Sequence, residues 1–298
     1  MITISPRQFA FCRVALGVYL AVHFVQLIPY GPELFSDRGV FADPRLNFTY
    51  GILPNPFEHW DSPALVTAFL FVLLVCSISF AAGVFRRTAA IVLWFGWACL
   101  FNRNNLINNP SIPYIGLLLL LSIVVPTGES LREYRARNGW EFPTMVYWTA
   151  WILLAAGYSF SGWMKLHSPS CIDGRALLHV LHNPLARCGF TRNLLLALPE
   201  GALRLMTWTV LAGEILFLPF SLWPHTRKIA WSALTGINAG ILFAVNFTDL
   251  TIGMLLIHLF TFDPRWLPRH PDVFGRMRAG QFPRRTPEKV GRVIQGTL

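Results

Sequence analysis

The sequence predicts an all-α protein, a polytopic integral membrane helical bundle of about eight transmembrane segments with N- and C-termini cytoplasmic. Three observations predict it: composition, the spacing of long apolar runs, and the distribution of basic residues between them. Apolar residues make up 54% of the 298 and charged residues 13%, against about 25% charged in a soluble domain. The mean hydropathy is +0.47. Taken in order, the apolar segments run roughly Phe9–Ile28, Pro63–Phe85, Thr88–Phe101, Pro113–Pro126, Thr144–Met164, Leu203–Trp223, Ile229–Val245 and Leu250–Phe262. No internal repeat is evident.

The first segment has the outline of a signal sequence. It lacks a small-residue cleavage site and is followed by many apolar segments, so it reads as a retained helix. A full crossing takes about 20 residues, which leaves the third, fourth and eighth segments short. With a cytoplasmic N-terminus, the inner loops hold Arg7, Arg86, Arg87, Arg132, Arg135, Arg137, Arg227 and Lys228, and the tail after Phe262 adds eight more basic residues. The outer loops hold Arg38, Arg45, Arg103, Lys165, Arg175, Arg187 and Arg192, offset by carboxylates such as Glu33, Asp37, Asp43, Glu58 and Asp61. That alternation follows the positive-inside rule. The chain thus divides into a membrane domain, 1–263, and a basic cytoplasmic tail, 264–298. The tail is either drawn to an anionic leaflet or simply solvated. The net charge of +10 comes with no basic groove interleaved with aromatic residues, so nucleic acid is not an expected partner; membrane lipids are.

The polar residues converge on one side. Thr88–Phe101 spans about 21 Å at 1.5 Å per residue, so the turn that follows, with Arg103, Asn104, Asn108 and Asn109, starts below the outer surface. Irregular polar backbone at such depth is tolerated only inside protein or beside a wet cavity. The turn holding Asn246 and Asp249 repeats the pattern, and Glu214 lies midway along its segment. Lys165 emerges on the same side, where Thr144–Met164 breaks into polar chain. These residues predict an outward-facing pocket. Lys165 has two readings, an interfacial anchor or a base in a dry pocket, and Glu214 equally suits a pairing with another helix. Arg13 reads as a snorkelling side chain, and His23 and His258 as helix contacts.

Cys12, Cys76 and Cys99 read as packing residues. Cys171 and Cys188 share one outer loop, either as a disulfide, worth about 3 kcal/mol in the chain-entropy account, or as two free thiols. His179 and His182 lie in a run that reads as a capped amphipathic helix on the membrane surface. No spacing matches a zinc site, and no metal is expected.

The stretch Tyr158-Ser159-Phe160-Ser161-Gly162-Trp163-Met164-Lys165-Leu166, followed by Asp173-Gly174, resembles the membrane domain of vitamin K-dependent γ-carboxylases, within the family of horizontally transferred transmembrane (HTTM) proteins. Phe11-Cys12-Arg13, Asn108-Asn109 with Ser111, and Leu250-Thr251-Ile252-Gly253-Met254 resemble further motifs of that family in the same order. The resemblance covers about residues 9 to 267. It implies a lysine base at Lys165, a reduced quinone (a vitamin K-like hydroquinone) as cofactor, and a secreted peptide as substrate, at the outer face of a bacterial inner membrane. The sequence differs from the carboxylases in having Pro110 in place of a histidine and Cys171 in place of a tryptophan, and in lacking a large extracytoplasmic domain. A second class therefore stands beside the first: a non-carboxylating maturation or immunity factor for an exported peptide.

Overall fold

The protein, described by a computed structural model over residues 4–131 and 139–266, is built from α-helices joined by short 3-10 turns. No β-strand occurs among the described residues; an isolated bridge pairs Ala186 with Val245. The helices are α1 Pro6–Leu27, α2 Gly31–Phe35, α3 Pro63–Ala82, α4 Arg86–Arg103, α5 Ser111–Val124, α6 Thr144–Lys165, α7 Pro169–Ile172, α8 Ala176–His182, α9 Phe190–Leu196, α10 Glu200–Leu222, α11 Pro224–Ala244 and α12 Thr248–Thr261. Each of the eight apolar segments forms a helix. Three helical stretches are long and apolar enough to cross a membrane: Pro6–Phe35, Pro63–Ala82 and Glu200–Leu222. The third segment is longer than its apolar run suggests, because α4 starts at Arg86 and continues to Arg103. Helices α5 and α12 are short, at 14 residues each.

Starts are set by local chemistry. Ser5 accepts a hydrogen bond from the Gln8 amide at 3.1 Å, and Pro6 occupies the first turn of α1, where its missing N–H costs nothing. Prolines likewise open α3 and α11.

Helix α1 packs on α3, α3 on α4, α4 on α5 and α5 on α12; α12 also meets α1, α6 and α11, while α10 lies between α6 and α11. Helix α12 is therefore central, which explains why it buries Thr251, Met254, Leu256, Ile257, His258 and Phe260 around its circumference. A short central helix ends inside the protein, and its last carbonyls need donors. Tyr147 Oη and Trp151 Nε1 donate to the Thr261 carbonyl at 3.0 and 2.9 Å, and Gln8 Nε2 donates to the Phe262 carbonyl at 2.9 Å.

His258 is held as a helix contact. Thr235 gives its hydroxyl proton to the Trp231 carbonyl at 2.7 Å, so at 3.0 Å it accepts from His258 Nδ1. His258 Nε2 then accepts the Tyr158 hydroxyl at 2.8 Å, and that oxygen accepts from Asn238 Nδ2 at 2.7 Å. One imidazole tautomer satisfies the whole chain, joining α6, α11 and α12.

Arg13 does not snorkel. It is buried, because α3 ends against it: Arg13 Nη1 donates to the carbonyls of Phe80, at 2.6 Å, and Ala81. Arg86 treats the end of α5 in the same way, donating to the carbonyls of Ser122 and, at 2.5 Å, Val125. Both guanidinium groups face Glu129, whose Oε1 lies 3.1 Å from Arg13 Nε and 3.0 Å from Arg86 Nε. Two guanidinium groups thus share one carboxylate and reach two helix C-termini, whose dipoles favour positive charge; Arg87 Nη2 also donates to the Val125 carbonyl, at 3.4 Å.

The chain divides after Asp263. Beyond it the structure describes a 3-10 turn, Pro264–Trp266. Arg132, Arg135, Arg137 and the remaining basic tail residues lie outside the described residues.

Replacing Glu129 by Gln should leave two buried guanidinium groups without their shared counter-charge, costing about 3–5 kcal/mol. Thermal unfolding in lipid nanodiscs reads this, and a wild-type midpoint for Glu129→Gln would refute the role of Glu129 as their shared counter-charge.

Candidate functional site

Lys165 and Glu214 meet. Lys165 ends the buried stripe of α6 that includes Trp151, Leu154, Tyr158 and Gly162, while Glu214 lies on the buried stripe of α10 with Thr207, Leu211, Phe217 and Ser221. These spacings repeat at three and four residues, so each stripe is one helix face. The Lys165 ammonium donates to both Glu214 carboxylate oxygens at 2.6 Å. The side chains are unequally covered: Lys165 is 40% exposed and Glu214 10%.

Two local features bring the helices close enough. The first is Gly162, one turn before Lys165. A Cβ there would fall 2.7 Å from the Ile215 amide nitrogen and 3.0 Å from Glu214 Cβ, so only glycine allows α6 to lie directly on α10 at this level. The second is Pro219 inside α10. Proline has no N–H for the carbonyl four residues earlier, and that carbonyl belongs to Ile215. Ser159 supplies the missing donor, its hydroxyl lying 2.9 Å from the Ile215 oxygen, and its Oγ accepts the Leu218 amide at 2.9 Å. Ser159 is thus inserted in the break of α10 and fixes Glu214 opposite Lys165.

Lys165 has three N–H bonds and Glu214 occupies two of them. The third has no protein acceptor among the described residues. Around it the end of α6 exposes Trp163, Met164 and Leu166. Above it, α7 and α8 rest on α10: Trp208 Nε1 donates to the Ile172 carbonyl at 2.9 Å, and the Leu177 amide to Thr207 Oγ1 at 3.3 Å. The arrangement is a close ion pair with one lysine N–H left for a ligand oxygen.

The other expected pocket residues fall into two separate groups. Arg103 is buried and anchors the loop between α2 and α3, donating to the carbonyls of Phe41 at 2.6 Å and Ala42 at 3.2 Å and pairing with Asp61 at 2.9 Å. Asn104 Nδ2 donates to the Leu34 carbonyl at 2.9 Å, and Asn108 Nδ2 to Asn105 Oδ1 at 3.0 Å. The asparagine-rich turn therefore spends its polar groups on this loop, because an irregular loop leaves carbonyls that need donors.

The second group joins α1, α5 and α12. Asn109 Oδ1 accepts from the amide and the hydroxyl of Ser111 at 2.9 and 2.6 Å, and the Ser111 hydroxyl lies 3.2 Å from the Asp249 carbonyl. A Cβ on Gly253 would sit 2.5 Å from Ser111 Cβ, so a glycine is needed where α12 crosses the start of α5. The Asp249 carboxylate takes His23 Nδ1 at 3.3 Å and the Tyr19 hydroxyl at 3.5 Å. Asn246 is exposed, and its amide donates to the Leu185 carbonyl at 2.6 Å.

Cys171 and Cys188 are both free in this structure, which gives the disulfide reading no support. Cys171 belongs to α7, packed on α10, whereas the residue before Cys188 is tied elsewhere, the Arg187 amide donating to the Ala244 carbonyl at the end of α11 at 2.9 Å. His179 and His182 lie on α8, and no group of three or more His, Cys, Asp or Glu that could hold a metal occurs among the described residues.

Sequence reasoning missed Ser159, the pairing of His23 with Asp249, and the sharing of Glu129. A signal existed for the first: Pro219 in an apolar run announces an unsatisfied carbonyl at Ile215, and Ser159 is one of the few polar side chains able to answer it.

No protein-family model matches the chain, no curated protein matches it, and no solved structure matches it.

Gly162→Leu should push α6 away from α10, cost about 1–3 kcal/mol and break the Lys165–Glu214 pair. A cysteine cross-linking scan between α6 and α10 would register the loss; unchanged cross-linking would mean that Gly162 does not set the distance.

Proposed function

We propose that the chain is a multi-pass membrane protein of HTTM type, resembling the membrane domain of vitamin K-dependent γ-carboxylases. In this reading Lys165 and Glu214 form its acid–base centre, which acts with a quinol-class cofactor on an exported peptide. The observation that carries it is the lysine at the mouth of α6 donating to both oxygens of an intramembrane carboxylate at 2.6 Å. Ionisable groups are costly at such depth and are retained for a task. The eight apolar helical segments, with Arg7, Arg86, Arg87, Arg227 and Lys228 in the first turns of α1, α4 and α11, support an inner-membrane bundle with cytoplasmic termini and the Lys165 end outward.

The residues fit a reduced quinone on chemical grounds. The third N–H of Lys165 suits a ring oxygen, and the exposed Trp163, Met164 and Leu166 suit an apolar ring and tail. When bound, such a quinone would supply the ionisable ring hydroxyl and the reducing equivalents. The protein supplies the proton acceptor. Moving one proton from Lys165 Nζ to a Glu214 oxygen leaves a neutral amine, whose lone pair can take a proton from a hydroxyl placed on its exposed side. Glu214 holds the first proton meanwhile, and Ser159 and Gly162 keep the carboxylate within reach.

A second reading has its own observation. The pair neutralises itself and, with Ser159, fastens α6 to α10 across the Pro219 break. A maturation or immunity factor for an exported peptide would need the pair for that purpose alone.

Chromatography of quinones extracted from the purified protein tests the first reading. Wild-type protein should carry a quinone and Lys165→Met should lose about nine-tenths of it, the tenfold change that one lost hydrogen bond of about 1.4 kcal/mol produces. Equal quinone in both proteins, or none in either, would defeat it. The exchange Lys165→Glu with Glu214→Lys keeps the pair and moves the amine; full peptide maturation by that variant would favour the fastening role.

A further inference from the structure

The loop between α2 and α3 is held at many points. Arg103 and Asp61 pin its two ends, Asn55 Nδ2 donates to the Cys99 carbonyl at 3.0 Å, and Phe57 is fully buried. Asn47 Nδ2 donates to the Asn102 carbonyl and Asn47 Oδ1 accepts from Asn105 Nδ2, while Thr49 Oγ1 donates to the Asn102 carbonyl at 3.2 Å. An ordered loop of this kind has had the opportunity to bury its apolar side chains. It does the opposite. Leu46, Phe48, Ile52, Trp60 and Leu106 are between 66% and 77% exposed.

The same hydrogen bonds gather three of them. Leu46 and Phe48 flank Asn47, and Leu106 follows Asn105, which bonds to Asn47. Exposed Arg45 stands beside them. An apolar cluster of this kind on a pinned loop marks a contact surface, and its level indicates which. Helix α4 rises from Arg86 to Arg103 through 18 residues, about 27 Å, close to the thickness of a hydrocarbon core of about 30 Å. With Arg86 and Arg87 at one boundary, the asparagine knot reaches the other. The two crossing-length stretches that the loop joins also expose apolar side chains, Val18, Val22 and Val25 on α1 and Leu65, Phe71 and Val72 on α3.

We propose that residues 44–53 and 105–107 form an interfacial foot inserted at the headgroup–acyl boundary of the outer leaflet, with Leu46, Phe48 and Leu106 among the acyl chains and Arg45 at the phosphates. This composition matches that of segments lying in the interface plane. The occupant is phospholipid. The inference rests on the membrane reading of the bundle but not on the quinol chemistry.

The test places the photo-reactive p-benzoylphenylalanine at position 48 of the full chain in its own membrane. The expected dominant adduct is phospholipid, identified by the mass added to the peptide carrying position 48. A dominant adduct with a second copy or another protein, or no adduct, would overturn the foot. Alkaline carbonate extraction of the same sample separates the two failures. A protein that stays in the pellet without lipid adducts retains its crossings and loses the foot; a protein washed into the supernatant loses both.

Discussion

Backbone carbonyls left without amide partners in apolar surroundings govern this architecture, since each would cost on the order of 1–3 kcal/mol if buried alone. Helices α3, α5 and α12 each leave terminal carbonyls without amide partners, and α10 is broken by Pro219. Each loose carbonyl is met by a side chain from another helix: Arg13 at the end of α3, Arg86 at the end of α5, Tyr147 and Trp151 at the end of α12, and Ser159 at the break in α10. The polar residues that look anomalous in an apolar chain are mostly donors for these acceptors. They also determine which helices lie together, because a donor serves only a carbonyl within about 3 Å of it.

Charge follows from the same arrangement. A guanidinium that caps a helix C-terminus brings a full positive charge into a poorly solvated place, and Glu129 offsets two of them at once. At the opposite end Arg103 satisfies the loop carbonyls and Asp61 supplies its counter-charge. Lys165 differs from all three arginines. Both of its hydrogen bonds among the described residues go to a carboxylate and none to backbone, which leaves it one N–H and an exposed flank. That difference sets it apart as a candidate site residue: the arginines are consumed by structure, whereas the lysine keeps an N–H free of protein acceptors among the described residues.

The polar residues of the turns after α4 and α11 were legible in the sequence as candidates. The single pocket expected of them is not what the structure forms, because they divide between separate groups. Asn104, Asn108 and Asn109 are short side chains whose first available partners are the carbonyls and amides of their own turn and of the loop packed against it. Asp249 finds His23 and Tyr19 on α1 because α12 lies between α1 and α6. The second arrangement has no signature in residue spacing, since Asp249 and its partners lie some 226 to 230 residues apart. Lys165 and Glu214 were each singled out, and their spacing on two helical stripes permits a meeting without requiring one.

The sequence by itself determined the helices: composition, apolar run length and proline positions specify eight apolar helical segments, and basic residues mark their ends. These are local properties, decided within a few turns of chain. Only the tertiary structure decided the partners. Whether Glu214 faces Lys165, and whether Arg13 reaches solvent or the carbonyls of Phe80 and Ala81, depends on which helix lies against which and at what height. Gly162 and the Ser159–Pro219 contact set that height for α6 and α10, and close approach between two helices is a property of neither helix alone.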